Sequence, residues 1–327
     1  MTVMALRRGL VLGGGGVLGG AWAVGALQAV RDVCGLEPED FDVIVGTSAG
    51  SVLGTLVAAG VSVDSLRDHQ FGLPITTGPL AGYTWDYETA TGGPRPRMPK
   101  LRGPGSVRLM ASSLRHGRRM PPTAVLSAFM PEGNGSLERV GHLIDAITPM
   151  GEWSPHPALW IVALDYEGGR RVVFGREDAP TVPLSLAVQA SCAIPGWFEP
   201  VTIEGRTYVD GGAWSATSVD VLAAAGLDEV IVIAPMVSFD VDEPDSILTR
   251  LERRWRGQIT RRCLGEVREV EAAGARVTLL GPGREDLEAM GGNIMDGRRR
   301  VAVLETSLRT SRVAIEAGGS PGLARTG

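Results

Sequence analysis

Ser48 stands at the centre of Gly46-Thr47-Ser48-Ala49-Gly50, a G-x-S-x-G pattern. Just before it, Phe41-Asp42-Val43-Ile44-Val45 reads as a short buried strand, and residues 51–59 read as a small apolar helix. A serine on the tight turn between strand and helix has its hydroxyl lifted to the helix start, where the dipole favours developing negative charge. Gly46 and Gly50 leave room for that turn and for close helix packing. The chemistry suggested is nucleophilic attack, which needs a base and donors for an oxyanion.

Histidine is the usual base, and the four present are His69, His116, His142 and His156. None precedes Ser48 and none follows His156, so their order and placement argue against a serine–histidine–aspartate triad. A carboxylate is the other candidate. Thr207-Tyr208-Val209 reads as a strand ending in Asp210-Gly211-Gly212. As the end of a parallel strand it would place Asp210 on the sheet edge that holds Ser48. Asp-Gly is also an ordinary turn dipeptide.

The run Gly13-Gly14-Gly15-Gly16-Val17-Leu18-Gly19 supplies the third component. Successive amides at a helix start form an anion cradle. Gly14, Gly16 and Gly19 also match G-x-G-x-x-G, so an NAD(P)-binding oxidoreductase is the competing reading. That site wants an acidic residue at the end of the next strand. Glu37, Glu39 and Asp40 precede the strand instead, and the strand runs into the serine turn.

Together these blocks resemble the patatin-like phospholipase family. The resemblance rests on the loop Gly14, Gly15, Gly16 and Gly19, the elbow around Ser48, and Asp210-Gly211-Gly212. A fourth block, Ala190-Ser191-Cys192-Ala193-Ile194-Pro195-Gly196-Trp197-Phe198-Glu199-Pro200, matches the family's helix-to-loop segment ahead of the aspartate. The resemblance implies a Ser48–Asp210 dyad, an oxyanion hole from Gly14, Gly15 and Gly16, and hydrolysis of lipid acyl esters without a cofactor or metal. One departure is Leu18, where many members carry Arg or Lys. A catalytically idle scaffold that binds acyl chains is a further reading, against which intact Ser48 and Asp210 argue.

The elements that must position these residues follow from composition and periodicity. The chain has 327 residues, 44% hydrophobic and 21% charged, with 45 glycines, and suits a soluble globular enzyme. A net charge of -5 argues against a nucleic-acid binder. Three dispersed cysteines indicate neither disulfides nor zinc and fit a reducing cytoplasm. The uncharged stretch 9–30 resembles a secretion signal, but its glycines and its strand–turn–helix division favour a fold element, with the helix running over 22–33. Further strands are expected at 159–164, 171–174, 207–209, 229–233 and 276–280, with helices at 63–71, 136–147, 183–190 and 219–225 between them.

Alternation of this kind predicts a three-layer α/β/α sandwich with a mostly parallel central sheet. A long helix over 245–273 carries the stripe Leu248, Leu251, Trp255, Ile259, Cys263, Val267 and Val270, expected to face the core. One domain is expected over 7–315, with a tail at 316–327. Residues 76–131 read as a Pro/Gly-rich insertion, in which 89–131 hold eight basic residues and no acidic one. Such a charge run reads as a solvated loop, and its interleaved apolar residues make a lid or a contact with an anionic membrane the competing readings.

Overall fold

The computed structural model describes residues 6–85, 106, 120–131, 133–148, 151–240, 242–244 and 246–318. Strand β1 (Arg8–Leu12) leads into helix α1 (Gly16–Ala29), and β2 (Val43–Thr47) into α2 (Ala49–Ala58) and α3 (Val63–Phe71). Helices α4 (Pro122–Phe129) and α5 (Glu138–Ile147) precede β3 (Leu159–Asp165) and β4 (Arg170–Phe174). Next come α6 (Leu184–Cys192), β5 (Val201–Ile203), β6 (Arg206–Asp210) and β7 (Glu229–Ile233). The chain then forms α7 (Ile247–Ala272), β8 (Arg276–Leu280), α8 (Arg284–Met290) and α9 (Arg300–Glu316).

Strands β3, β2, β1, β7 and β8 lie side by side and parallel. Their Val, Ile and Leu runs are continuous because both faces are covered. Leu10 and Leu12 enter one core with α1, α2, α3, α5, α6 and α9. Val11, Val45 and Val232 enter another, beneath α7. The result is the expected three-layer α/β/α arrangement. Each fully buried Leu or Ile in these seams contributes roughly 1.5–3 kcal/mol. A smaller cluster joins Met120 and α4 to Leu164 and Val209. Among the described residues no helix is long and apolar enough to cross a membrane.

The pairing around β3 decides where the site falls. Ile161 pairs with Gly46 of β2 and with Phe174 of β4; Ala163 pairs with Asp210 of β6 and with Val172 of β4. Since β4 occupies one edge, β2 and β6 share the other and meet there end to end. Thr47 lies opposite Val162 and Asp210 opposite Ala163, the very next residue.

The sequence reading of β6 as a parallel strand is corrected here: it runs antiparallel to β3. The cause is local. Glu204 and Gly205 both have positive φ, 49° and 76°, and turn β5 straight back into β6 as a hairpin.

Other departures have similar reasons. Helix α1 starts at Gly16 rather than at residue 22, because burial on nearly every side outweighs the weak helix propensity of its glycines. Its last turn, Val30–Cys34, is π-helical. The stretch expected to be helical over 219–225 is a short 3-10 turn, Val219–Leu222. On α7 the stripe divides: Cys263, Val267 and Val270 are buried, whereas Leu251 and Trp255 are exposed. In that first half the inward side carries Glu252, Arg256 and Thr260 instead. Most of the expected basic insertion, 86–105 and 107–119, and nearly all of the expected tail, from 319 on, lie outside the described residues.

Candidate active site

Ser48 sits alone between β2 and α2 with φ 53° and ψ −126°, a sparsely populated backbone conformation for a residue with a side chain. Hydrogen bonds to both its amide and its carbonyl hold it there. Its N–H donates to Ser191 Oγ at 2.9 Å, and the Ser191 hydroxyl in turn donates to the Val162 carbonyl at 2.6 Å. The Ser48 carbonyl accepts from the Ser51 amide at 2.7 Å. Close crossing of α2 over β1 fixes the next glycine: a Cβ on Gly50 would lie 1.9 Å from the Leu12 carbonyl oxygen.

Asp210 comes in from the end of β6. Its amide donates to the Ala193 carbonyl at 2.9 Å, and its carboxylate accepts the Gly212 N–H at 2.6 Å. Only 4% of the residue is exposed. Burial pushes its pKa up to about 6, and hydrogen bonds from Ser48 and from the Gly212 amide hold it from going higher. The structure therefore brings Ser48 and Asp210 together, some 160 positions apart in the chain. Nearby Cys192 is a poor rival nucleophile, since burial raises its thiol to about 12.

None of the described histidines lines the cleft that holds Asp210. His142 is exposed on α5, and His156 bonds the Phe41 carbonyl at 2.8 Å, before β2 begins. His69 lines the narrower cavity that also borders Ser48, apart from Asp210, and burial depresses its pKa to about 4. His116 lies outside the described residues.

The glycine loop differs in one respect from expectation. Gly14 donates its N–H to the Ala216 carbonyl at 2.8 Å and is already committed. Gly15 and Gly16 begin α1, where backbone N–H groups have no acceptor within the helix. Among the described residues, no protein acceptor takes either. Gly16 has φ 60°, and a Cβ there would lie 2.7 Å from the Met295 sulfur, so the loop requires glycine at that point.

Two supports of this loop carry no sequence signal. Pro235 packs against Gly15 and Gly19, and its carbonyl accepts from the fully buried Arg256 guanidinium at 2.5 Å. Glu252 balances that charge at 2.8 Å. The Ile294 carbonyl takes the Leu18 amide at 2.9 Å. The Leu18 side chain itself is in the core, not in the site, so the departure at this position places no group near Ser48. Ser191 was visible in sequence only as part of the block 190–200.

Two cavities meet at Ser48. A cleft of about 500 Å³ holds Ser48, Asp210 and the glycine loop, and opens between α4 and α7. A narrower pocket of about 140 Å³ runs from Ser48 among Val52, Leu53, Leu56, Val140 and Leu143. Gly16, Ile194 and Met295 border both. The dinucleotide reading fits poorly, because β2 ends in Gly46-Thr47 and the elbow, with no acidic residue there to receive a ribose.

The family model described as Patatin-like phospholipase matches residues 10–73 and 156–223, which carry the glycine loop, the elbow, Ser191 and Asp210. Over these two segments, about two fifths of its length, the chain is similar to the patatin-like phospholipase family. An uncharacterized protein of Acanthamoeba polyphaga mimivirus is 26% identical over 205 residues, 63% of this chain and 58% of that relative, so the chain spans little more than half its length. Among solved structures, VipD from Legionella pneumophila aligns with a TM-score of 0.42 and 12% identity over 94% of this chain and 67% of VipD. The type III effector protein ExoU aligns with a TM-score of 0.29 and 15% identity, over 94% and 54% respectively.

Two outcomes are expected. A carboxyl whose folded pKa is raised above its unfolded 3.8 stabilises the fold while protonated and loses that contribution as pH rises through about 6. Asp210→Asn is therefore expected to melt higher than wild type at pH 8, by on the order of 2–3 kcal/mol in stability, and equally near pH 3. Melting curves across that range check it. Ser191→Ala leaves the buried Ser48 amide and Val162 carbonyl without their shared partner, at a cost of about 1–3 kcal/mol. Denaturant midpoints should fall accordingly.

Proposed function

We propose that this protein is a serine acyl hydrolase that cleaves lipid acyl esters through a Ser48–Asp210 dyad. The observation that carries the reading is the pairing of Ser48, on its strained turn, with a buried Asp210 beside two uncommitted amides at a helix start. Ser48 Oγ attacks the ester carbonyl carbon while its proton passes to the Asp210 carboxylate. The carbonyl oxygen, now an anion, accepts from the Gly15 and Gly16 amides. Asp210 returns the proton to the departing alcohol as the tetrahedral centre collapses to an acyl-enzyme. Water then adds by the same path, giving its proton to Asp210, and the free acid leaves as Ser48 recovers its hydrogen.

Desolvation supports the base role. An aspartate with a pKa near 4 is a feeble acceptor for a serine proton, and one raised to about 6 is stronger by roughly two orders of magnitude. Even so it is a weaker base than imidazole, which suits esters, whose alcohols leave more readily than amines. The narrow apolar pocket is the natural place for an acyl chain, and the larger cleft for the alcohol side of the substrate.

A fluorophosphonate probe is expected to label wild type and to leave Ser48→Ala unlabelled. Asp210→Asn is expected to keep its fold and lose roughly 10²–10⁴-fold in ester turnover. Turnover by wild type should rise with pH through about 6, as the base ionises. Undiminished labelling of Ser48→Ala, or amide cleavage without ester cleavage, would remove the proposal.

A further inference from the structure

We propose that the mouth of the cleft, together with the outer face of α7, is a docking surface for an anionic lipid bilayer. This rests on the lipid-hydrolase reading above and locates where the substrate enters. Seven of the exposed large apolar side chains gather here: Leu126, Phe129 and Met130 from the α4 end, Trp197 from the loop after α6, and Ile247, Leu251 and Trp255 from α7. Among the described residues only Leu6, Leu73 and Val313 are comparable, and none of them lines the cleft. Five of the seven line the cleft itself; Phe129 adjoins Met130, and Ile247 lies one turn before Leu251. Ile247 is 77% exposed, Leu251 56% and Trp255 41%. An apolar rim of this kind around a cleft marks a contact surface rather than scattered surface residues.

Charge selects the partner. At 100° per residue, Ile247, Leu251 and Trp255 form one stripe of α7, and Arg250, Arg254 and Arg261 form the stripe beside it. All three arginines are exposed, and no carboxylate among the described residues pairs with them. Between Ile247 and Cys263 the helix has a single acidic residue, Glu252, which is buried against Arg253 and Arg256. The protein as a whole carries a net charge of -5, so this basic outer stripe runs against the average. An apolar stripe flanked by unpaired arginines is the pattern of a helix lying in a bilayer interface, with its cations at anionic head groups. Docked so, the cleft opens onto the lipid, and an acyl ester reaches Ser48 without crossing water.

The test is co-sedimentation of the full chain with sucrose-loaded vesicles, either of phosphatidylcholine alone or of phosphatidylcholine with about one third phosphatidylglycerol. Ser48→Ala is carried in parallel, so that binding is read without turnover. Both proteins are expected to partition roughly a hundredfold more strongly to the anionic vesicles, and less so as salt is raised. Arg250→Gln with Arg254→Gln should lose about fivefold per arginine on anionic vesicles. Ile247→Gln should weaken binding to both compositions. These three residues lie outside the cleft lining, and turnover of a short soluble ester should stay at the wild-type level. Equal partitioning to the two compositions, or undiminished binding of the double arginine variant, overturns the proposal. A chain that hydrolyses soluble esters but ignores vesicles defeats this surface alone. One that binds anionic vesicles and turns over no ester defeats the hydrolase reading and leaves the surface standing.

Discussion

Two strands that stop against each other on one edge of a third hold this molecule's chemistry in place. At Val162 and Ala163 the parallel partner β2 gives way to the antiparallel partner β6, so the last residues of both are neighbours. The Val162 carbonyl is tied to the same junction through Ser191, whose hydroxyl also holds the Ser48 amide. Gly211 must follow Asp210 closely there, since a Cβ on it would lie 2.4 Å from that carbonyl oxygen. A slip of one residue in either pairing would turn its side chains to the opposite face of the sheet and separate serine from carboxylate.

The electrostatics of the site follow from what this junction excludes. Asp210 is buried with hydrogen-bond donors beside it and, among the described residues, no cation in its interactions, so the fold raises its pKa rather than fixing its charge. The positive end of α1 supplies the compensating field through free amides, not through a basic side chain. The one buried cation among the described residues, Arg256, holds Pro235 against the glycine loop while Glu252 balances its charge. A buried ion pair of this type does more to fix geometry than to add stability.

Much of the fold was legible in the sequence because the parallel strands are buried on both faces and read as plain apolar runs. Strand β7 falls on its expected residues for that reason, and α3 and β8 also lie where expected. The elbow was legible because its glycines are demanded by local crowding. What escaped was set at long range. The direction of β6 depends on a two-residue turn at Glu204 and Gly205, whose effect is visible only once β5 is recognised as a strand. Gly14 is removed from the free donors by a carbonyl some 200 residues away, which no local pattern announces. The exposure of Leu251 and Trp255 depends on what covers α7, whereas periodicity reports only which residues share a face.

The central claim is that Ser48, Asp210 and the Gly15 and Gly16 amides form one reacting unit. A crystal structure of the phosphonate-labelled protein tests it directly. The account predicts phosphorus on Ser48 Oγ, its free oxygen within ~3 Å of both amides, and the Asp210 carboxyl against the ester oxygen. An adduct whose oxygen points away from those amides, or whose ester oxygen is met by a histidine in place of Asp210, would contradict it.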